Sequence, residues 1–266
     1  MVPMTEPVTP DAEADAPAET TAAPRRAAEP RKRRGPGIVT SIGILLICLG
    51  LAGFGWIGYQ YYGTNGPAEE AARTESSALR DQWKSEGTPT AAPSGATPAP
   101  APPSAGSTGV PADQPAKVSL DSAMALIRIP RFGASYEKPI LVGTSDYSLA
   151  RGVAWYENTA RPGQVGNFAL AGHRITHGEP FARLLEMQAG DEVVIETRDY
   201  IYTYVLDTPP SKLTVKDVDT WVIDPVPGKK DVKPTQALLT LTTCQDLFRS
   251  PDRSVGFAHL ASTKKK

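Results

Sequence analysis

Cysteine is scarce in this chain: 266 residues hold two, Cys48 and Cys244. Cys48 sits inside an uncharged apolar run and Cys244 far beyond it, so a disulfide framework is excluded as the source of stability. Histidine occurs three times, at His173, His177 and His259, and with the cysteines it forms no zinc-ligand spacing. Asp191, Glu192 and Glu196 are scattered through what reads as an exposed hairpin, so neither a metal site nor a cofactor is expected. An excess of one charge is also missing. Against 29 Asp+Glu stand 28 Lys+Arg, which leaves no electrostatic case for nucleic acid as a partner. There is no internal repeat and no Gly-rich phosphate loop.

What is present is arranged by region. Arg25, Arg26, Arg31, Lys32, Arg33 and Arg34 precede Ile38, and from there to Tyr59 no residue is charged. These roughly 22 residues suffice to cross the ~30 Å hydrocarbon core as a helix. Trp56, Tyr59, Tyr61 and Tyr62 supply aromatic rings for the far interface. The run is longer than a signal-peptide core, has no clear A-x-A cleavage pattern after it, and is apolar on all faces, unlike a soluble helix. The expectation is an uncleaved single-pass anchor over 38–59. The basic cluster then marks the cytoplasmic side, which places everything after Tyr62 outside the cell membrane.

Residues 1–37, rich in Ala, Pro, Thr and Glu, are too poor in apolar side chains to offset the entropy of ordering and read as a disordered cytoplasmic tail. Residues 60–117 read as stalk and linker: Ala71, Ala72, Leu79 and Trp83 predict a short helix between Ala68 and Lys84, and the Pro, Ala, Ser and Thr of 88–115 predict an extended spacer. One globular domain is expected over 118–262, followed by a basic tail at 263–266. Within it, short β-branched and aromatic runs bounded by Pro, Gly and Asp predict strands at 125–129, 139–142, 168–171, 192–197, 200–206, 237–243 and 255–260. Arg198-Asp199 marks a hairpin turn, and Phe181, Leu184, Leu185 and Met187 a short helix. The class is mainly β, a barrel or a sandwich.

Cys244 is then an unpaired thiol on an exported domain. Read alone, it fits a nucleophile and a small buried hydrophobe equally well. As a nucleophile it attacks as thiolate, and so needs a proton-exchanging partner and a cationic surrounding. His173 suits the first role, with His177 and His259 as alternatives; Arg253 suits the second, with Arg249 as its rival.

The run Thr240-Leu241-Thr242-Thr243-Cys244 resembles the T-L-x-T-C signature of sortases, the membrane-anchored cysteine transpeptidases of Gram-positive bacteria. Gly166 to Arg174 resembles the strand bearing that family's histidine, and Arg253, nine positions beyond Cys244, falls where its arginine opens the last strand. The T-L-T-T-C form, the Pro-rich approach and the loop from Val222 to Pro234 resemble the actinobacterial class E. The resemblance implies a closed sortase-type β-barrel with one or two short helices. It also implies cleavage of an L-A-x-T-G or L-P-x-T-G sorting signal between Thr and Gly, through a Cys244 thioester that a peptidoglycan amine resolves. His173 would be the general acid and Arg253 the oxyanion or substrate stabiliser, with Thr242, Thr243, His177 and Trp155 lining the substrate groove. Implied partners are exported proteins bearing the signal, a peptidoglycan precursor and the membrane. Gln245-Asp246, Trp155 and His177 depart from the common class E residues and bear on signal preference. Two alternatives accompany this reading: a pilin-polymerising sortase, for which no lid segment is seen, and a non-catalytic anchored binding module. A papain-type peptidase would place cysteine before histidine, the reverse of the order here.

Overall fold

Strands β1 (Ala123–Arg128), β2 (Lys138–Val142), β3 (Val153–Trp155), β4 (Gly166–Ala171), β5 (Glu192–Glu196), β6 (Tyr200–Thr208), β7 (Thr214–Lys216), β8 (Ala237–Cys244) and β9 (Asp252–Lys265) form one sheet in a computed structural model. It describes residues 37–86, 118–244 and 250–266, with the backbone alone at Gln60, Tyr61 and Cys244. The strands run β6-β5-β1-β2-β3-β4-β8-β9, and β9 pairs again with β6, so eight strands close into a barrel and β7 adds outside on β9. Closure removes the sheet edges on which other chains would pair. Alternating inward residues fill the interior, among them Ile127, Ile140, Phe168, Leu170, Tyr202 and Leu239. Arg198-Asp199 does lie between β5 and β6, and the expected helix after Pro180 is a single 3₁₀ turn, Leu184–Glu186.

Helix α1 (Ile38–Gly58) is long and apolar enough to cross a membrane, and none of its residues is buried within the protein. A π-helical turn, Tyr59–Gly63, leads into α2 (Asn65–Glu86). The short helix predicted for the stalk is thus longer, and it lies on the barrel instead of standing apart. Ala68, Ala72 and Leu79 are buried on one face, a spacing that a helix brings into line. Around them Lys138 pairs with Glu69, and Arg80 donates to Glu137 at 2.6 Å. This cover explains why β2 is buried at every position and why Ala125, Leu126 and Ile127 are buried in succession.

The basic end is not a loose tail. Tyr200 pairs with Lys265 and Ile201 with Lys264, while the Lys266 ammonium bonds Glu196 at 2.8 Å and sits 4.8 Å from the Trp83 ring centre of α2. Lysine survives at a strand end because its long stem reaches carboxylates and rings beside the sheet. Burial alone would raise the Glu196 carboxyl, but the Lys266 hydrogen bond and the charges of Arg128 and Arg80 hold it below the usual range. The tail expected over 1–37, save Gly37, and the spacer expected over 88–115 lie outside the described residues.

Candidate active site

Strands β4 and β8 run parallel with Ala171 opposite Thr242, and β8 runs antiparallel to β9 with Cys244 opposite Arg253. In the β4–β8 register the last pair is Ala171 with Thr242, and His173 and Cys244 each lie two positions beyond it. Cross-links hold that register at its end: the Gly172 N–H donates to Thr242 O at 3.2 Å, and Thr243 Oγ1 donates to Gly172 O at 2.8 Å. Gly172 has to be glycine here, since a Cβ would stand 2.7 Å from the Phe181 ring. Residues 71 positions apart in sequence are thereby brought to one end of neighbouring strands.

A cleft of about 420 Å³ opens at this end, with His173, Thr242, Thr243 and Arg253 in its wall and Asp146 and Asp217 beside them. The Arg253 guanidinium donates to Ser250 O at 2.6 Å and Asp252 O at 3.1 Å, and its other nitrogen lies 3.6 Å from the Asp217 carboxylate. A fixed cation with spare donors therefore faces the cleft. Burial lowers the His173 pKa to about 4, helped by the charge of His177 and opposed by Asp146. Near neutral pH the ring is uncharged, able to take a proton and to hand it on. The wall below is fixed by Asn167, whose amide donates to Val222 O at 3.1 Å and Asp224 O at 3.0 Å, and which accepts from Thr240 Oγ1 at 2.7 Å.

Comparison with known proteins identifies the fold that carries this cleft. The family model described as the sortase domain matches residues 127–261. The chain belongs to the sortase family. Sortase SrtE2 of Streptomyces coelicolor is 30% identical over 88% of this chain and 88% of its own length. Sortase SrtE1 of the same organism is 31% identical over 87% of this chain, which spans 60% of that relative's length. Among solved structures, sortase E from Streptomyces avermitilis is 42% identical, with a TM-score of 0.50, over 56% of this chain and 93% of that one. SrtA sortase from Actinomyces oris is 31% identical, with a TM-score of 0.52, over 58% of this chain and 89% of that one. The closed barrel and the resemblance to class E are thus both borne out.

Not every residue assigned to the groove of this sortase lies there. Trp155 is a core residue: it packs beside Phe168, and its indole N–H reaches Thr159 Oγ1 at 3.0 Å and Ala160 O at 3.1 Å. A large ring on a three-residue strand between buried neighbours has no route to solvent. Thr242 and Thr243 stand in the cleft wall, but their hydroxyls bond carbonyls of the neighbouring β4 segment and so serve the register. His177 stacks on His173, ring centres 4.9 Å apart. His259 pairs with Asp207 on the exposed side of β9, away from the cleft. Arg249 and Gln245-Asp246 lie outside the described residues. Asp146 and Asp217 were not singled out from sequence, for an acidic residue at a short helix start or after a three-residue strand carries no pattern of its own.

Proposed function

We propose that this sortase cuts a C-terminal sorting signal of the L-A-x-T-G or L-P-x-T-G kind between Thr and Gly and transfers the new carboxyl end to a peptidoglycan amine. What supports this reading is the register of β4, β8 and β9, which pairs the backbone of Cys244 with that of Arg253 at the strand end where His173 and Arg253 line the cleft. In the mechanism, neutral His173 accepts the Cys244 thiol proton as the sulfur attacks the threonine carbonyl carbon. Negative charge gathers on the carbonyl oxygen, and the Arg253 guanidinium offers it donors and a fixed positive charge. As the C–N bond breaks, the imidazolium gives its proton to the departing glycine amine, which leaves a Cys244 thioester. The acceptor amine then attacks the thioester carbonyl, loses a proton to His173, and releases the thiolate, which takes that proton back. Anchoring suits the exchange, because client and lipid-linked acceptor held at one membrane surface meet at raised effective concentration.

The test incubates the purified full-length chain in detergent with quenched peptides of both signals, with and without an amine acceptor. Mass spectrometry should show an amine-linked product cut after Thr, and Cys244→Ala should lower turnover at least ~10³-fold. Equal turnover by the Cys244→Ala chain, or cleavage at another bond, would sink the assignment.

A further inference from the structure

The loop from Gly172 to Pro180 holds three successive residues in the left-handed region: His177 at φ 54°, Gly178 at 75° and Glu179 at 47°. Glycine adopts this freely, but the other two are strained there and persist only where surrounding contacts over-determine them. The first of these contacts come from the segment that opens α2. Asn65 Oδ1 accepts from the Gly178 N–H at 3.0 Å, while its Nδ2 donates to Glu179 Oε1 at 2.7 Å. Thr64 Oγ1 accepts the His177 N–H at 3.4 Å. Ala68 packs so near that a Cβ on Gly178 would lie 3.4 Å from its own. The loop's two ends are fixed from the barrel: Phe181 N–H donates to His173 O at 2.9 Å, and Tyr136 Oη donates to Pro180 O at 2.6 Å. In this conformation the His177 ring lies nearly parallel to the His173 ring, 26° between planes.

We propose that Asn65, with Thr64, is a positioning residue for His173: the segment that follows the apolar helix clamps the loop and so keeps His177 stacked on the catalytic imidazole. The proposal rests on the reading of His173 as catalytic. A stacked second imidazole shields one face of His173 from water and disfavours a second positive charge beside it. Other charged groups around the ring are Asp146 from α3 (Asp146–Leu149), Arg253 from β9, and Lys216, Asp217 and Asp219 on the β7 side of the cleft. Releasing the clamp frees the His177 ring from its place on His173, which lessens both the burial of that imidazole and the His177 contribution. The result is a His173 that protonates more easily and is less well placed to receive the thiol proton.

The experiment uses the full-length chain in detergent with labelled histidine, the three imidazoles being assigned by single replacement of each. In the wild type the His173 signal should titrate far below that of an ordinary histidine. Asn65→Ala should move it upward by about one pH unit and cut kcat several-fold with little change in KM. α2 keeps its Leu79, Lys138 and Arg80 attachments, so this variant should still melt cooperatively. Asn65→Asp sets two carboxylates face to face and should shift His173 likewise. Adding Glu179→Gln should reverse this, since the glutamine amide can then donate to the aspartate. An unmoved His173 titration in folded Asn65→Ala and Asn65→Asp chains would overturn the proposal, as would a shift in Asn65→Asp that Glu179→Gln does not correct. The titration needs no turnover. Full activity in His173→Gln would thus refute the catalytic reading separately, while the imidazole shift still reports on the clamp.

Discussion

His173 shows how one side chain carries both a stability and a reaction consequence. The unfolded chain protonates this ring near its ordinary value of 6.5, whereas the folded chain does so only near 4. Between those values the unfolded state binds the extra proton, so stability falls as pH falls through the window; above 6.5 both states are neutral and the penalty is absent. The carboxyls that native contacts hold low, Asp121, Asp191, Glu186 and Glu196, add their own losses only below their ordinary range of 3.8 to 4.5. His173→Gln, which cannot charge, should therefore flatten the decline in melting temperature between pH 6.5 and 4 measured by calorimetry. A decline as steep as the wild type's would show that the ring is not held neutral by its surroundings. In the proposed mechanism the same neutrality has a chemical meaning: the proton delivered to the leaving amine would come from the Cys244 thiol.

At the scale of elements, the strands that carry the proposed catalytic residues were the most legible. β4 and β8 announce themselves through an apolar run ending in Ala171-Gly172-His173 and through Thr240 to Cys244, because a parallel pair buried on both faces needs continuous apolar or hydroxyl residues. β3 and β7 were not foreseen: three residues are too few to express a two-residue period. Trp155 was misplaced for a related reason, since nothing in so short a strand tells which face is inward. α2 was seen as a helix but not as part of the barrel, because its buried face is built of Ala68, Ala72 and Leu79, a stripe too thin to signal docking. The end of β9 was misread because three lysines suggest solvent, while their partners on β5, β6 and α2 become neighbours only after closure. The docking has a measurable cost when disturbed. Leu79→Ala should lower the unfolding free energy by about 2–4 kcal/mol in denaturant titration. A change below ~0.5 kcal/mol would mean that α2 lies free of the barrel in solution.

For the whole molecule, charge and apolarity are segregated along the chain, and that segregation underlies the orientation we propose. Among the described residues the barrel exposes few large apolar side chains, Leu120, Tyr147, Val165, Val218 and Val232, whereas α1 exposes Ile, Leu and Phe along its length and none of them is buried by protein. A helix of that kind is stable where hydrocarbon replaces water around it. Six basic residues stand before it within the chain's first 34, and Lys and Arg are retained on the cytoplasmic side when a segment inserts. In the orientation proposed here the barrel lies outside, and β4, β8 and β9 would present their cleft in the compartment where both reactants of the proposed transfer occur. Added protease should therefore degrade a tag at the C-terminus of the chain on intact, wall-stripped cells while leaving a tag at the N-terminus protected until the membrane is opened with detergent. Degradation of the N-terminal tag on intact cells, with the C-terminal tag spared, would reverse the orientation and place the barrel among cytoplasmic thiol reductants, where an exported signal could not reach it.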